Sequence, residues 1–190
     1  PAYTGIERDE LISASRQIRD YFNNDDEFIT ISVVQGGILV PSLYNSREVL
    51  HMKDVKGLVK GVYWTQWLTG AYMATFSVIG LVSARRRFLA RLGRHVGLGG
   101  TATIGLVLVV GLASLIGFER LFLAFHLVSF SNDLWQLDPR RDYLIAMFPE
   151  GFFFDATIWT AGSTVAEAAV LALVGLVLPR WLPRKGQRAA

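Results

Sequence analysis

The sequence predicts a mainly α protein: a polytopic transmembrane helical bundle carrying a small extracytoplasmic α+β cap. Three observations predict it. The chain of 190 residues is 52% hydrophobic, with a mean hydropathy of +0.35, more apolar than a soluble domain of that size. Two long runs, Val62 to Ala84 and Thr101 to Phe118, hold no charge, and a third, Thr157 to Leu178, holds only Glu167. About twenty apolar helical residues cross the hydrocarbon of a bilayer; the second run is shorter and extends into the apolar stretch after Arg120. The charges, finally, are sorted. Arg85, Arg86, Arg87, Arg91 and Arg94 lie between the first two runs, and Arg180, Arg184, Lys185 and Arg188 follow the third, with no acid among them. Every Asp and Glu except Glu167 falls before Val62 or between Glu119 and Asp155.

Basic residues stay on the cytoplasmic side. The organisation that follows is an extracytoplasmic segment over 1–61, spans at 62–84, 101–118 and 157–178, a cytoplasmic arginine-rich loop at 85–100, an extracytoplasmic loop rich in His, Asp and aromatics at 119–156, and a cytoplasmic basic tail at 179–190. The net charge of +3 thus encodes topology, and no nucleic-acid partner is expected. An extracytoplasmic residue 1 implies a further signal-anchor span ahead of it, a fourth span in all. With no cysteine, disulfides, thiol nucleophiles and cysteine metal sites are excluded.

Within 1–61, Asp9 to Phe22 reads as an amphipathic helix with Leu11, Ser15, Ile18 and Phe22 on one face. Asn23-Asn24-Asp25-Asp26 ends it. Phe28 to Val34 is rich in β-branched residues, Gly36-Gly37 reverses the chain, and Ile38-Leu39-Val40 returns, the pattern of a hairpin closed by Pro41. Asn45 and Glu48 have capping-box spacing. The helix they open carries His51 and Asp54 and is expected to enter the first span with a bend near Gly57 or Gly61. Beyond the second span, Asp138-Pro139 reads as a helix start, Asp as cap and Pro at the first position, with an end near Phe148-Pro149. Tyr63, Trp64 and Trp67 on one span, and Trp135, Tyr143, Phe148, Phe152, Phe153, Phe154 and Trp159 on the other side of the chain, read as outer aromatic belts.

The candidate chemistry lies in His126 to Phe154, which sets a histidine, Asn132 and the carboxylates Asp133, Asp138, Asp142 and Glu150 among large apolar residues. Ionisable groups at a lipid boundary are costly without a function. His51 and His126 each stand about ten residues, or on the order of 15 Å of helix, from a membrane boundary. Imidazole is the side chain that exchanges protons near neutrality without adjustment. Asp54 and Asp133 lie three and seven residues downstream of these histidines, at offsets suited to a carboxylate that fixes an imidazole tautomer. His95, in the arginine cluster, reads as a solvated cation, and Glu167 as a mid-span carboxyl turned toward Thr69 or Ser77. No spacing matches a zinc motif, and neither Ser129 nor Ser131 sits in a nucleophile elbow; no cofactor or metal is expected. Arg140 and Arg141 can pair with Asp142 or meet lipid phosphates.

His51-Met52-Lys53-Asp54-Val55, a span, an arginine-rich segment, a second span, and then His126 with Asn132-Asp133-x-Trp135-x-x-Asp138-Pro139 and Met147-Phe148-Pro149-Glu150-x-Phe152-Phe153 resemble the Lit family of bacterial lipoprotein intramolecular transacylases. The resemblance covers about Thr4 to Leu178 and implies four spans. It also implies an activity: moving the sn-2 O-acyl chain of a diacylglyceryl lipoprotein to the α-amine of its N-terminal cysteine, which gives a lyso-form lipoprotein. It offers His51 and His126 as the catalytic pair.

Such a reaction fits the residues. An α-amine of pKa about 7.7–8.0 needs a base before it attacks, and the departing glycerol oxygen needs a proton. One or two imidazoles serve both steps. No enzyme nucleophile is required, because amine and ester share one molecule. The expected assignments are His51 and His126 in catalysis, Asp54 and Asp133 as orienting groups, Asn132 as oxyanion donor, and Trp135, Arg140, Arg141 and Tyr143 in contact with substrate or lipid. The expected partner is a diacylglyceryl lipoprotein or a phospholipid-like lipid at the outer face of a bacterial cell membrane. Two rivals share the pattern: a lipid hydrolase using the same histidines, with or without a metal, and a non-catalytic membrane scaffold.

Overall fold

The structure, a computed structural model, describes residues 5–181. The first four residues and the basic tail from residue 182 on lie outside the described residues. The fold is mainly helical, with a two-stranded sheet. Its element order is α1 (Arg8–Phe22), β1 (Val33–Gln35), β2 (Ile38–Val40), α2 (Ser46–Ser129), α3 (Tyr143–Met147) and α4 (Glu150–Trp181). Two compact units divide the chain: one holds the residues up to Thr65 together with Glu119–Phe153, the other Gln66–Phe118 together with the chain from Phe154.

In the first unit, α1 buries Ala14, Ile18 and Tyr21. The buried face is rotated from the expected one, for Ser15 is exposed and its hydroxyl bonds back to the Leu11 carbonyl. Tyr21 draws the face round: its hydroxyl donates to the Glu27 carbonyl at 3.0 Å, and the Lys56 ammonium stands 4.0 Å from its ring centre, so its polar tip and its ring both find partners inside. Ile29, Ile31 and Val33 alternate into the same core with Leu43, Tyr44 and Met52. The extended run from Phe28 is only partly a strand, because sheet pairing begins at Val33, where Val33 faces Val40 and Gln35 faces Ile38. Upstream, α1 side chains take the place of a strand partner. Gln17 exchanges two hydrogen bonds with the Ser32 backbone, and Glu10 accepts the Val34 amide. Gly36 and Gly37 both have positive φ, 59° and 82°, the two-residue turn that the twist of a hairpin demands.

Asn45 caps α2 in a full capping box with Glu48. The helix passes Gly57 and Gly61 without the expected bend; its backbone departs from helical values at Arg85 and Gly117. The stretch expected as an inner loop at 85–100 is helical except for the break at Arg85 (φ 43°, ψ −117°). Arginine, leucine and alanine are strong helix formers, whereas Gly93, Gly97, Gly99 and Gly100 are weak ones; the helix continues through them, with Gly97 and Gly100 close against α4. α2 is therefore two long apolar helices, Ser46–Arg85 and Arg87–Ser129, and with α4 there are, among the described residues, three helices long and apolar enough to cross a membrane. It is a membrane-integral protein.

In the second unit these helices meet through small residues. The Phe88 ring, 5.4 Å from that of Phe76, fills the space a side chain at Gly80 would need. Further along, Gly97 and Gly100 face Ala168, Ala172 and Gly175 of α4. A Cβ on Gly100 would stand 2.6 Å from the Ala168 carbonyl oxygen, and one on Gly175 2.8 Å from the Gly97 Cα. Between helices in lipid there is no hydrophobic drive to associate, and close backbone approach is what packing offers instead. Glu167, expected to turn inward, is exposed: its neighbour Ala168 takes the inward position.

The segment 138–142 is a turn, not the expected helix start. The Asp138 carboxylate accepts the Arg140 amide, and its carbonyl takes the amides of Arg141 and Asp142. Asp142 is then extended (φ −104°, ψ 118°), so the turn stops there and α3 begins only at Tyr143. It ends at Met147, before Pro149.

Candidate active site

His51 lies on the second turn of α2 and His126 one turn before its end, and the first unit brings them together. Their ring centres are 6.2 Å apart. Both are buried, and both line a cavity of about 450 Å³, within the range of small-molecule sites. The walls come from α1, from both ends of α2 and from the chain between Phe130 and Phe153. Among the described residues, every lining side chain apart from the two imidazoles and the Trp135 indole is apolar, and none carries a formal charge. Phe130 stands 5.2 Å from His51; Phe122 and Trp135 stand 4.4 Å and 5.0 Å from His126.

The two rings differ electrically. His126 Nδ1 is 2.7 Å from the Phe122 carbonyl oxygen. A carbonyl only accepts, so Nδ1 carries the proton, and in the neutral ring the Nε2 lone pair is free. His51 Nδ1 is buried with no hydrogen-bond partner among the described residues. Burial, and then the neighbouring His126, push the His51 pKa down to about 4, against a smaller upward pull from Asp54. His51 is thus neutral at neutral pH.

That shift has a consequence for stability. Between pH 4 and about 6.5 the unfolded chain binds a proton on this ring and the folded chain does not. The stabilisation is complete above about 6.5 and declines as pH falls toward 4. At about pH 5 the loss should be about 2 kcal/mol. Unfolding of the detergent-solubilised protein at pH 7 and pH 5 will show this loss, and His51→Asn will reduce it.

A buried network fixes the frame around the pair. Glu48, fully buried, one turn before His51, accepts the Asn45 amide at 2.8 Å and the Leu144 amide at 2.6 Å. Burial raises its pKa, those amides pull it back, and Asp142 adds to the rise. Asp142, also buried, accepts from the Asn45 side-chain amide and from the Asp138 backbone amide, at 2.8 Å and 2.7 Å. Together they tie Leu144, a cavity wall, to the start of α2. The capping box pointed to Glu48 only as a cap; nothing in the sequence marked the reach to Leu144 or the burial of Asp142.

The other expected site residues are arranged differently from their expected roles. Asp133 does not reach His126; it is exposed and pairs with Arg47, which meets both its carboxylate, at 3.6 Å, and its backbone carbonyl. The Phe122 carbonyl orients His126 instead, because a helix places it one turn back at hydrogen-bonding distance. The Asn132 amide donates to Asp54 at 2.8 Å, so these two hold each other. Trp135 lines the cavity, its indole donating to the Asn132 carbonyl. Arg140 and Arg141 are exposed on the 139–141 turn, Arg141 3.8 Å from Asp142, and neither lines the cavity. Tyr143 packs against the core of the unit. His95 is exposed. Among the described residues no three His, Cys, Asp or Glu side chains converge as metal ligands.

Comparison with known proteins bears on the family and the fold. A family model described as lipoprotein intramolecular transacylase Lit matches residues 1–153. The fold is similar to solved structures of the membrane integral lipoprotein intramolecular transacylase Lit from Bacillus cereus. One is 24% identical, covers 96% of this chain and 76% of its own, and superposes with a TM-score of 0.71. Another, in which a histidine is arginine, is 23% identical over 96% of this chain and 73% of that one, with a TM-score of 0.65. A third, with alanine for a histidine, is 22% identical over 96% and 74%, at 0.64. No curated protein matches the chain.

Proposed function

The chain belongs to the lipoprotein intramolecular transacylase Lit family, and from that premise we propose that it moves the sn-2 O-acyl chain of a diacylglyceryl lipoprotein onto the α-amine of the N-terminal cysteine, with His126 as the base. The observation that carries this reading is the imidazole pair, 6.2 Å apart in one cavity, with the His126 Nδ1 proton committed to the Phe122 carbonyl. His126 Nε2 is then the group able to accept a proton.

The amine gives its proton to His126 Nε2 as its nitrogen forms a bond to the ester carbonyl carbon. The carbonyl electrons move to oxygen. When the tetrahedral intermediate collapses, the bond from that carbon to the sn-2 oxygen breaks, the new amide remains, and the imidazolium returns its proton to the departing alkoxide. Each proton transfer of this kind is worth typically 10²–10⁴-fold. His51, neutral with its pKa near 4, donates an N–H to the developing oxyanion, as a neutral imidazole can. Asn132 and Asp54, joined to each other, hold the 131–136 segment and its Trp135 over the pair. Arg140 and Arg141 are offered as surface contacts for lipid headgroups. The sorting of arginines supports a site at the outer face of a bacterial cell membrane.

Mass spectrometry of N-terminal lipopeptides from cells with and without the protein tests the reaction. The expected result is an N-acyl, sn-2-deacylated peptide only where the protein is present. An acyl chain that stays on glycerol in both, or that appears as free fatty acid, defeats the proposal.

A further inference from the structure

The cavity is longer than two imidazoles require. On α2 its lining runs His51, Met52, Val55, Leu58 and Val59, one face of a helix from 51 to 59, about 12 Å at about 1.5 Å per residue. Ile18 and Phe22, one turn apart on α1, line it as well. A row of touching rings forms more of the wall: His126 against Phe122 at 4.4 Å, Phe122 against Phe153 at 5.2 Å, and Phe153 against Phe152 at 5.3 Å. Away from the histidines and Trp135, no lining side chain offers a hydrogen bond. Glycerol or peptide placed there would lose its water without replacement. An alkyl chain would lose nothing.

We propose, resting on the transacylase reading, that this trough seats the migrating acyl chain, and that Val55, Leu58 and Val59 of α2 with Ile18 and Phe22 of α1 decide which chain lengths are accepted. The acyl chain comes from lipid, an environment as apolar as the trough, so its transfer brings little affinity. The trough acts on position: a seated chain brings its own ester carbonyl to the histidines. Selectivity should therefore appear in kcat rather than KM. A misplacement of about 1 Å can cost about 10²-fold.

The test uses lipopeptides alike except for an acetyl, octanoyl or palmitoyl group at sn-2, with the full-length protein and its Val59→Trp and Leu58→Trp variants in mixed micelles. Filling the trough should lower the palmitoyl-to-acetyl ratio of kcat by at least about thirtyfold, with octanoyl between. An unchanged ratio, whether both substrates fall together or neither falls, overturns the proposal. A palmitoyl lipopeptide carrying a diazirine near the chain end gives a readout independent of turnover. Crosslinks to Val55, Leu58, Val59, Ile18 or Phe22 support the trough, and crosslinks confined to other residues reject it. Should the wild type transfer no chain of any length, the transacylase reading fails, and crosslinking alone decides whether the trough binds an acyl chain.

Discussion

His126→Gln will lower acyl transfer by at least about 10²-fold and leave the protein folded. Glutamine fills much of the imidazole's volume, and its amide can still donate to the Phe122 carbonyl that the His126 Nδ1 now meets at 2.7 Å. What it lacks is a lone pair basic enough to take a proton from an amine. General base catalysis is worth typically 10²–10⁴-fold, and the loss should fall on kcat. His51→Gln will also lower kcat, through the oxyanion. Because both rings serve one tetrahedral intermediate, the double variant should be little worse than the poorer single one, as for residues that act as a unit. Mass spectrometry of product formation by purified protein, alongside a thermal unfolding curve for each variant, supplies the measurement. Retention of more than about a tenth of wild-type turnover by His126→Gln would remove it from the role of base.

Glu48→Ala will be the most destabilising single change near the site. Its carboxylate accepts the amides of Asn45 and Leu144, and the residue is fully buried. Truncation leaves two part-buried donors without this acceptor, at up to about 1–3 kcal/mol each, and opens a void in the wall between α2 and the start of α3. Removing a carboxyl whose pKa burial has raised returns part of this. We expect a net loss of about 3 kcal/mol and, because Leu144 is released from α2, a loss of activity with it. Glu48→Gln retains one acceptor oxygen and should fall between wild type and alanine on both measures. Denaturant unfolding in detergent separates the three. Equal stability of all three proteins would show that Leu144 is held by packing alone.

The membrane helices and the histidine pair were legible in the sequence; the partners of the pair were not. Uncharged runs of about twenty residues have few alternatives to a span. A histidine beside an uncharged run is conspicuous for the same reason. The capping box at Asn45 and the Gly36-Gly37 turn were equally readable, because each rests on local backbone chemistry. Asp133 misled because spacing along a chain does not say where a chain turns: α2 ends at Ser129, and beyond it Asp133 pairs with Arg47. The orienting group for His126 is a backbone carbonyl, which no residue type announces. Asp142 was read as a partner for arginine, and Arg141 does stand 3.8 Å from it, but its burial and its bonds with Asn45 and Asp138 were not readable. Its role depends on a partner 97 positions away in the chain. The basic stretch at 85–100 read as a loop because charge suggests water and its four glycines disfavour helix, while in the fold Gly97 and Gly100 let that helix pack closely on α4.

Among the described residues, no formal charge lines the chamber that holds the two imidazoles. Nothing on its walls attracts counterions, so Debye screening has little to act upon there. Added salt and the proportion of anionic lipid can alter how often a lipoprotein reaches the enzyme. The turnover of one already bound should be nearly indifferent to ionic strength.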